Sequence, residues 1–313
     1  MNKESKIYIA GHTGLVGSAV VKRFRSEGCN NLVLRTRKEL NLLSQQDVDS
    51  FFEQERPEYV ILCAAKVGGV AVHANSPFDV LHENLQIQNN VIGAAYKNKV
   101  QKLLFVASGT IYPSECIQPI SESSLLQGPL DPLHEANGLA KICGIKLCEN
   151  TKKQSPDKEF FTLVPTNMYG VGDSFEGSNA RVIGSLIARF YQAKQDNLKE
   201  VVVWGSGNAL REFLYVDDMA DAIHFFMTHT VSSSFINVGT DQETSIKEIA
   251  YTIKEIVGYE GGVVFDTTKP EGRLRRKLDT TLASSHGWDA QTTLKEGLQK
   301  TYQYFLSTLD KKI

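Results

Sequence analysis

The chain has 313 residues, 42% hydrophobic and 22% charged, with a formal net charge of -2, the profile of a globular chain long enough for one large domain or two smaller ones. No basic block is present to hold a nucleic-acid backbone, no apolar run reaches the roughly 20 residues of a membrane span, and the opening "MNKESKIYIAG" does not read as a signal peptide. Cys29, Cys63, Cys116, Cys143 and Cys148 fall in no metal-ligand spacing and their odd number does not suit a disulfide framework, so reduced thiols in a cytoplasmic protein without a metal are expected.

Along the first half, short apolar runs alternate with amphipathic stretches. "KIYIAG" (6–11) reads as a buried strand, followed by a glycine turn and a helix over "LVGSAVVKRFRSEG" (15–28). "NLVLRT" (31–36) is a second strand. "SQQDVDSFFEQERP" (44–57) is a helix with an N-cap serine and a proline stop, and "YVILCAA" (59–65) a third strand. A long helix over "ENLQIQNNVIGAAYKNKV" (83–100) precedes the strand "KLLFVAS" (102–108). The opening turns of a further helix lie in "HEANGLAK" (134–141), its body runs to residue 154, and the strand-like "EFFTLVPTNMYG" (159–170) follows. Strands and helices alternating in this way predict an α/β fold with a doubly wound parallel sheet of the Rossmann type over residues 1–170. Beyond that the pattern becomes mixed: a loop at 172–182, a helix at 183–195, a strand at 200–207 and a helix at 245–259. A smaller mixed α/β substrate lobe over 171–313 is expected, with a soft boundary that lets C-terminal segments return to the first domain.

"GHTGLVG" sets Gly11, Gly14 and Gly17 between the first strand and first helix, with Thr13, Leu15 and Val16 in the same turn. Glycines there let the backbone turn tightly and approach a pyrophosphate at the helix N-terminus. At the end of the second strand, an acid would bind the ribose hydroxyls of NAD. This chain has Arg35 and Arg37 instead, suited to a 2′-phosphate, so NADP is the expected cofactor.

These segments, with "LVLRTRKELNLL", "AAKVGG", "HENLQIQNNVI", "PTNMYG", "VVVWGSG", "REFLYVDDMA", "INVGT" and "FDTTKPEG", resemble the GDP-L-fucose synthase family from about residue 6 to the C-terminus. That family has the extended short-chain dehydrogenase fold; it epimerises C3 and C5 of a GDP-4-keto-6-deoxyhexose and reduces C4 with NADPH. The resemblance implies that Ser108 hydrogen-bonds the 4-keto oxygen and that Lys141 binds the nicotinamide ribose. It implies further cofactor contacts at Ala64, Ala65, Lys66, Pro165 and Asn167, and sugar-nucleotide contacts at Asn167, Arg181, Arg189, Trp204, Arg211 and Arg276. A homodimer through two long helices, one of them carrying Lys141, is also what the family implies.

The pattern breaks at three catalytic positions. The family's tyrosine, four residues before the lysine, is Asn137; its epimerase cysteine is Thr110; its epimerase histidine is Arg181. Threonine offers no thiolate, and arginine keeps its proton near neutral pH. The chain in this respect resembles reductase-only homologues of bacterial GDP-heptose capsule pathways. The expectation is an NADPH-dependent C4-keto reductase of a GDP-4-keto-deoxyhexose or GDP-4-keto-heptose, with 3,5-epimerase activity lost. Two alternatives stand beside it: a bifunctional fucose or colitose synthase inactivated at Asn137, and a non-catalytic GDP-sugar- and NADP-binding partner. Tyr112 and His134 are near enough in sequence to stand in for the missing phenol.

Overall fold

The computed structural model describes residues 1–269 and 272–310; Pro270 and Glu271 of the "FDTTKPEG" motif lie outside the described residues. The first half winds as β1 (Ile7–Ala10), α1 (Leu15–Ser26), β2 (Leu32–Val33), α2 (Gln45–Glu55), β3 (Tyr59–Leu62), α3 (Val70–Asn75), α4 (Pro77–Lys97), β4 (Lys102–Val106), α5 (Glu135–Gln154) and β5 (Glu159–Pro165). Residues of β1, β3 and β4 are buried throughout, as expected of parallel strands covered on both faces. Ser44 caps α2 by accepting from the Asp47 amide, and Arg56, left-handed at φ 45°, ends it before Pro57.

After β5 come β6 (Asn167–Tyr169), α6 (Val182–Gln195), β7 (Glu200–Trp204), β8 (Leu210–Arg211), β9 (Phe213–Tyr215), α7 (Val216–Thr228) and β10 (Phe235–Val238). Then follow β11 (Thr244–Ser245), α8 (Ile246–Val257), β12 (Gly262–Asp266), β13 (Arg275–Arg276), α9 (Thr281–Ser285) and α10 (Leu294–Asp310). The main sheet has six parallel strands in the order β10-β5-β4-β3-β1-β2. The winding reverses between β1 and β3, which opens a crevice at their C-terminal ends. One apolar layer, including Val60, Val91, Phe105 and Ile145, covers one face of the sheet; another, including Ile61, Leu104, Val20 and Ile223, covers the other. A third cluster, built on Ile183, Phe190, Val201, Ile253 and Phe305, forms the core of α6, α8, α10 and the β7–β12 pair.

Several boundaries differ from the sequence reading. The long helix starts at Pro77 rather than 83, because proline suits a first helical turn. The strand-like run 159–170 is two strands in different sheets, β5 and β6, separated at Thr166. α7, β10 and α10 were not read from the sequence as elements. No described helix is long and apolar enough to cross a membrane.

Two contacts position α5. A Cβ on Gly144 would lie 2.4 Å from a ring carbon of Phe105, and Gln88 donates to the Ala140 carbonyl at 2.6 Å. Such close approach leaves no room for a larger residue at 144 and fixes α5 against β4 and α4. Between β8 and β9, the buried carboxylate of Glu212 accepts from the amides of Thr240, Asp241 and Leu278 at 2.7, 3.0 and 3.2 Å. It thereby ties the strand segment carrying Arg211 to the ends of β10 and β13.

Candidate active site

One cleft of about 1590 Å³ runs from the glycine turn across the ends of β1, β3, β4 and β5 to α6, β7 and β8. A pocket for one small ligand has roughly 300–1,000 Å³, so this volume suits two. Every residue that the sequence points to as a catalytic, cofactor or sugar-nucleotide contact borders it, with Tyr112, offered as a stand-in for the phenol, the exception.

At the nucleotide end, Gly11 sits at φ +84°, and a Cβ there would lie 2.7 Å from the Ala64 nitrogen. A Cβ on Gly17 would lie 2.1 Å from the Gly11 carbonyl oxygen. Only glycine lets the turn fold this tightly between β1 and β3. Gly14 is the N-cap of α1, so the first-turn amides, which have no intrahelical acceptors, open toward the cleft. This cradle fits a dinucleotide pyrophosphate. The two arginines beyond β2 differ. Arg35 is engaged by Glu55 at 2.5 Å and lies over the Phe51 ring, whereas the Arg37 side chain is 78% exposed with Glu83 4.0 Å away. Arg37 is therefore the more available partner for a 2′-phosphate. Arg35 acts first as an internal ion pair, which the sequence did not reveal. Lys66 pairs with Glu83 at 2.5 Å, while its amide donates to Asn84 Oδ1 at 2.7 Å.

At the mouth of β4, Ser108 caps a short turn (Gly109–Ile111), its hydroxyl accepting from the Thr110 amide at 3.3 Å. α5 presents Asn137 and Lys141 to the same place, each 4% exposed. A Cβ on Gly138 would lie 2.6 Å from the Thr110 carbonyl oxygen, so helix and turn are in close contact. The Asn137 amide donates to Thr110 Oγ1 at 2.9 Å, and its oxygen lies 3.5 Å from the Asn84 amide. Asn137 is thus held as a link in an Asn84–Asn137–Thr110 chain. Lys141 Nζ donates to the Val106 carbonyl at 2.8 Å and lies 4.4 Å from the centre of the Phe105 ring. Burial pushes its pKa down to about 8, and burial likewise pushes the neighbouring Cys63 thiol up to about 12.

The far end is cationic. Arg181 is bound to the buried Asp173 carboxylate at 3.0 Å, and burial lowers the pKa of Arg189. Arg211 donates to the Leu210 carbonyl at 2.8 Å. Trp204, at the end of β7, is 60% exposed and offers an open indole face. Arg276 donates to the Gly109 carbonyl, and burial, then the nearby Arg273, hold its pKa down to about 10. Asn167 donates to the Glu212 carbonyl at 3.0 Å. Such a concentration of guanidinium groups beside an aromatic face suits a nucleoside diphosphate.

Tyr112 does not border this cleft. It is fully buried and donates to Asn237 Oδ1 at 2.5 Å, and burial drives its pKa far above that of a free phenol. It is no replacement for the missing tyrosine. His134 does border the cleft. The sequence reading missed Asp131 and His73, which face His134, and Arg273, which pairs with Asp131. They come from three separate segments and no local spacing links them.

A parallel nucleotide sheet with a glycine turn at its switch point, and a serine and a lysine at one mouth, define an extended short-chain dehydrogenase. The chain belongs to the NAD dependent epimerase/dehydratase family, whose pattern matches residues 7–239. Within it the chain groups with the GDP-L-fucose synthases: it is 49% identical over 312 residues to a putative GDP-L-fucose synthase 2 of Arabidopsis thaliana, covering 100% of this chain and 95% of that one. Among solved structures, a GDP-6-OMe-4-keto-L-xylo-heptose reductase from Campylobacter jejuni superposes with a TM-score of 0.93 at 37% identity, over 98% of this chain and 99% of the other. A GDP-mannoheptose C4 reductase from the same organism, solved with NADP bound, does so with 0.89 at 38% identity, over 98% and 99%.

Proposed function

We propose that the chain is an NADPH-dependent reductase of the C4 keto group of a GDP-4-keto-deoxyhexose or GDP-4-keto-heptose, acting in nucleotide-sugar biosynthesis, and that it does not epimerise C3 or C5. One observation carries this reading. The cleft keeps the reductase parts, the glycine cradle, Ser108 and Lys141, while Thr110 and Arg181 stand where the family has its epimerase thiol and imidazole. Both are committed elsewhere: Thr110 accepts from Asn137, and Arg181 is ion-paired with Asp173. The similarity to reductases of GDP-heptoses supports the same conclusion.

Residues 11–17 would cradle the pyrophosphate and Arg37 the 2′-phosphate, with Ala64, Ala65, Pro165 and Asn167 along the path of the dinucleotide. NADPH bound there supplies the hydride. The Ser108 hydroxyl would orient and polarise the sugar's carbonyl oxygen. The Lys141 ammonium, at the same mouth, would favour negative charge developing on that oxygen. Arg189, Arg211 and Arg276 would hold the diphosphate and Trp204 would stack on the guanine, so segments of residues 171–313 would supply the substrate lobe, while α7 and β10 return to the nucleotide domain begun by residues 1–170.

The test is NADPH consumption on addition of GDP-4-keto-6-deoxymannose or a GDP-4-keto-heptose, with the product's C4 configuration read by NMR. An unchanged NADPH signal with every such sugar would reject the reading. A second reading, a bifunctional fucose or colitose synthase, is favoured by the 49% identity to a plant GDP-L-fucose synthase. Deuterium exchange from solvent at C3 and C5 during turnover decides between them.

A further inference from the structure

We infer that His134, oriented by Asp131, has taken over from the family's lost tyrosine the delivery of the proton to the sugar's C4 oxygen. The inference rests on the reductase reading above and concerns which group supplies that proton.

The reaction leaves a carbonyl oxygen that must gain a proton, so some group at the mouth of β4 and α5 has to provide one. The Asn137 amide has no proton to surrender and is held between Asn84 and Thr110. The Ser108 hydroxyl is too weak an acid, and Tyr112 is bound to Asn237 away from the cleft. Lys141 Nζ is turned to the Val106 carbonyl and the Phe105 ring.

His134 lies three residues before Asn137, at the N-cap of α5, and positions three apart on a helix are neighbours on one face, about 5–6 Å between Cβ atoms. It borders the same cleft. Nδ1 is sealed from solvent and lies 3.6 Å from Asp131 Oδ2. Nε2 is not among the sealed atoms, and 26% of the side chain stays open. At that distance Nδ1 makes no hydrogen bond in the structure; a protonated ring would gain Asp131 as its ion-pair partner on the Nδ1 side, leaving Nε2 as the atom that exchanges a proton with the cleft.

The carboxylate is itself held. Arg273 pairs with Asp131 at 3.1 Å, and also donates to the Pro113 carbonyl and Ser114 Oγ at 3.2 and 2.9 Å. The other charged or titratable groups facing the ring are His73 of α3, with ring centres 4.9 Å apart, and Arg276 of β13. Burial, then His73, lower the pKa of His134 while Asp131 raises it. A sugar diphosphate bound at Arg276 would add negative charge beside the ring and favour its protonated form.

In the step proposed, the carbonyl's π pair moves onto oxygen as carbon gains the hydride. The Nε2–H bond of the imidazolium breaks and its pair stays on the ring, the proton forming the new O–H bond. Solvent then reprotonates the neutral imidazole, so each turnover takes up one proton.

The test uses the full-length protein carrying His134→Gln. At pH 7 we expect kcat to fall by about 100-fold, with the NADPH dissociation constant, measured by fluorescence, within twofold of the parent. The parent's kcat should fall as pH rises through a limb in the histidine range, and the variant should lack that limb. Asp131→Asn should keep the limb and move it to lower pH. In the free protein, NMR titration of the His134 ring should show the same downward movement in Asp131→Asn, a readout independent of turnover and of whether His134→Gln folds. A His134→Gln variant with the parent's kcat and a limb near 8 would assign the proton to Lys141 and overturn the inference alone. Parent protein that consumes no NADPH with any GDP-4-keto sugar would overturn the reductase reading, and this inference with it.

Discussion

Replacing Asn137 with tyrosine returns a titratable phenol to the cleft, and its effect is expected to depend on pH. The exchange loses the bond from Asn137 to Thr110 Oγ1, worth about 1 kcal/mol, which a folded domain with a margin of roughly 5–15 kcal/mol tolerates. The phenol would stand one helical turn from Lys141, whose ammonium lowers its pKa from the ordinary value of about 10. If nothing had replaced the tyrosine, turnover would rise by up to the ~10²–10⁴-fold of a general acid at any pH where the phenol is protonated. A histidine already delivering the proton changes that expectation. His134, its pKa lowered below the ordinary imidazole value by burial and His73, loses its proton progressively as pH rises, whereas a phenol keeps its proton to higher pH. The gain should therefore grow as pH rises from about 6 to about 8.5, staying within the ~10²–10⁴-fold of a general acid. The assay is kcat from NADPH absorbance at saturating sugar nucleotide across that range, with cofactor affinity measured in parallel. A gain of the same size at every pH, or none while NADPH still binds, would refute the reasoning.

Arg37→Glu should cut the preference for NADPH over NADH by at least about tenfold, the loss of a charge-assisted contact worth ~1.5–3 kcal/mol, as read by titration with both cofactors. Arg35→Glu should lose stability as well, because Arg35 is paired with Glu55, and a melting curve separates the two. No deuterium should enter C3 or C5 of the sugar from solvent during turnover; exchange at the turnover rate would mean that another acid–base pair works in place of Thr110 and Arg181. Gly17→Ala drives a methyl group into the Gly11 carbonyl, an overpacking cost of about 1–3 kcal/mol, and should weaken NADPH binding with a lower melting temperature. The pKa of Lys141 is lowered from 10.5 to about 8, so between those values the unfolded chain binds more protons than the folded one and stability rises with pH. Lys141→Met should remove that rise in urea melts at pH 8 and 10, and should lose reductase activity.

The nucleotide half was legible because its signals are local. Continuous apolar runs, a glycine turn at a strand end and capped helices such as Ser44 to Arg56 each lie within one short stretch of chain. The site residues came from motifs whose positions lie far apart in sequence, and the structure gathers them around one cleft. What a single sequence could not show was pairing at a distance. Arg35 looked as open as Arg37 until Glu55, twenty residues on, was found against it. Asp131 and Arg273 lie far apart in the sequence, and their ion pair forms only because the chain just before β13 returns to the cleft. Tyr112 looked like a donor near Ser108, but its direction is decided by Asn237 on β10.

β10 has a consequence for how the molecule can be divided. It lies beside β5 as the outermost strand of the main sheet, although α6, β7, β8 and β9 come between them in the chain. A fragment ending near residue 170 would therefore leave β5, an almost wholly buried strand, as a bare apolar edge open to pairing with other copies. Such a fragment should aggregate rather than bind nucleotide. The same arrangement orders synthesis in time. The sheet cannot close until residue 238 has left the ribosome, and until then the nascent chain carries an unfinished edge of the kind that chaperones hold.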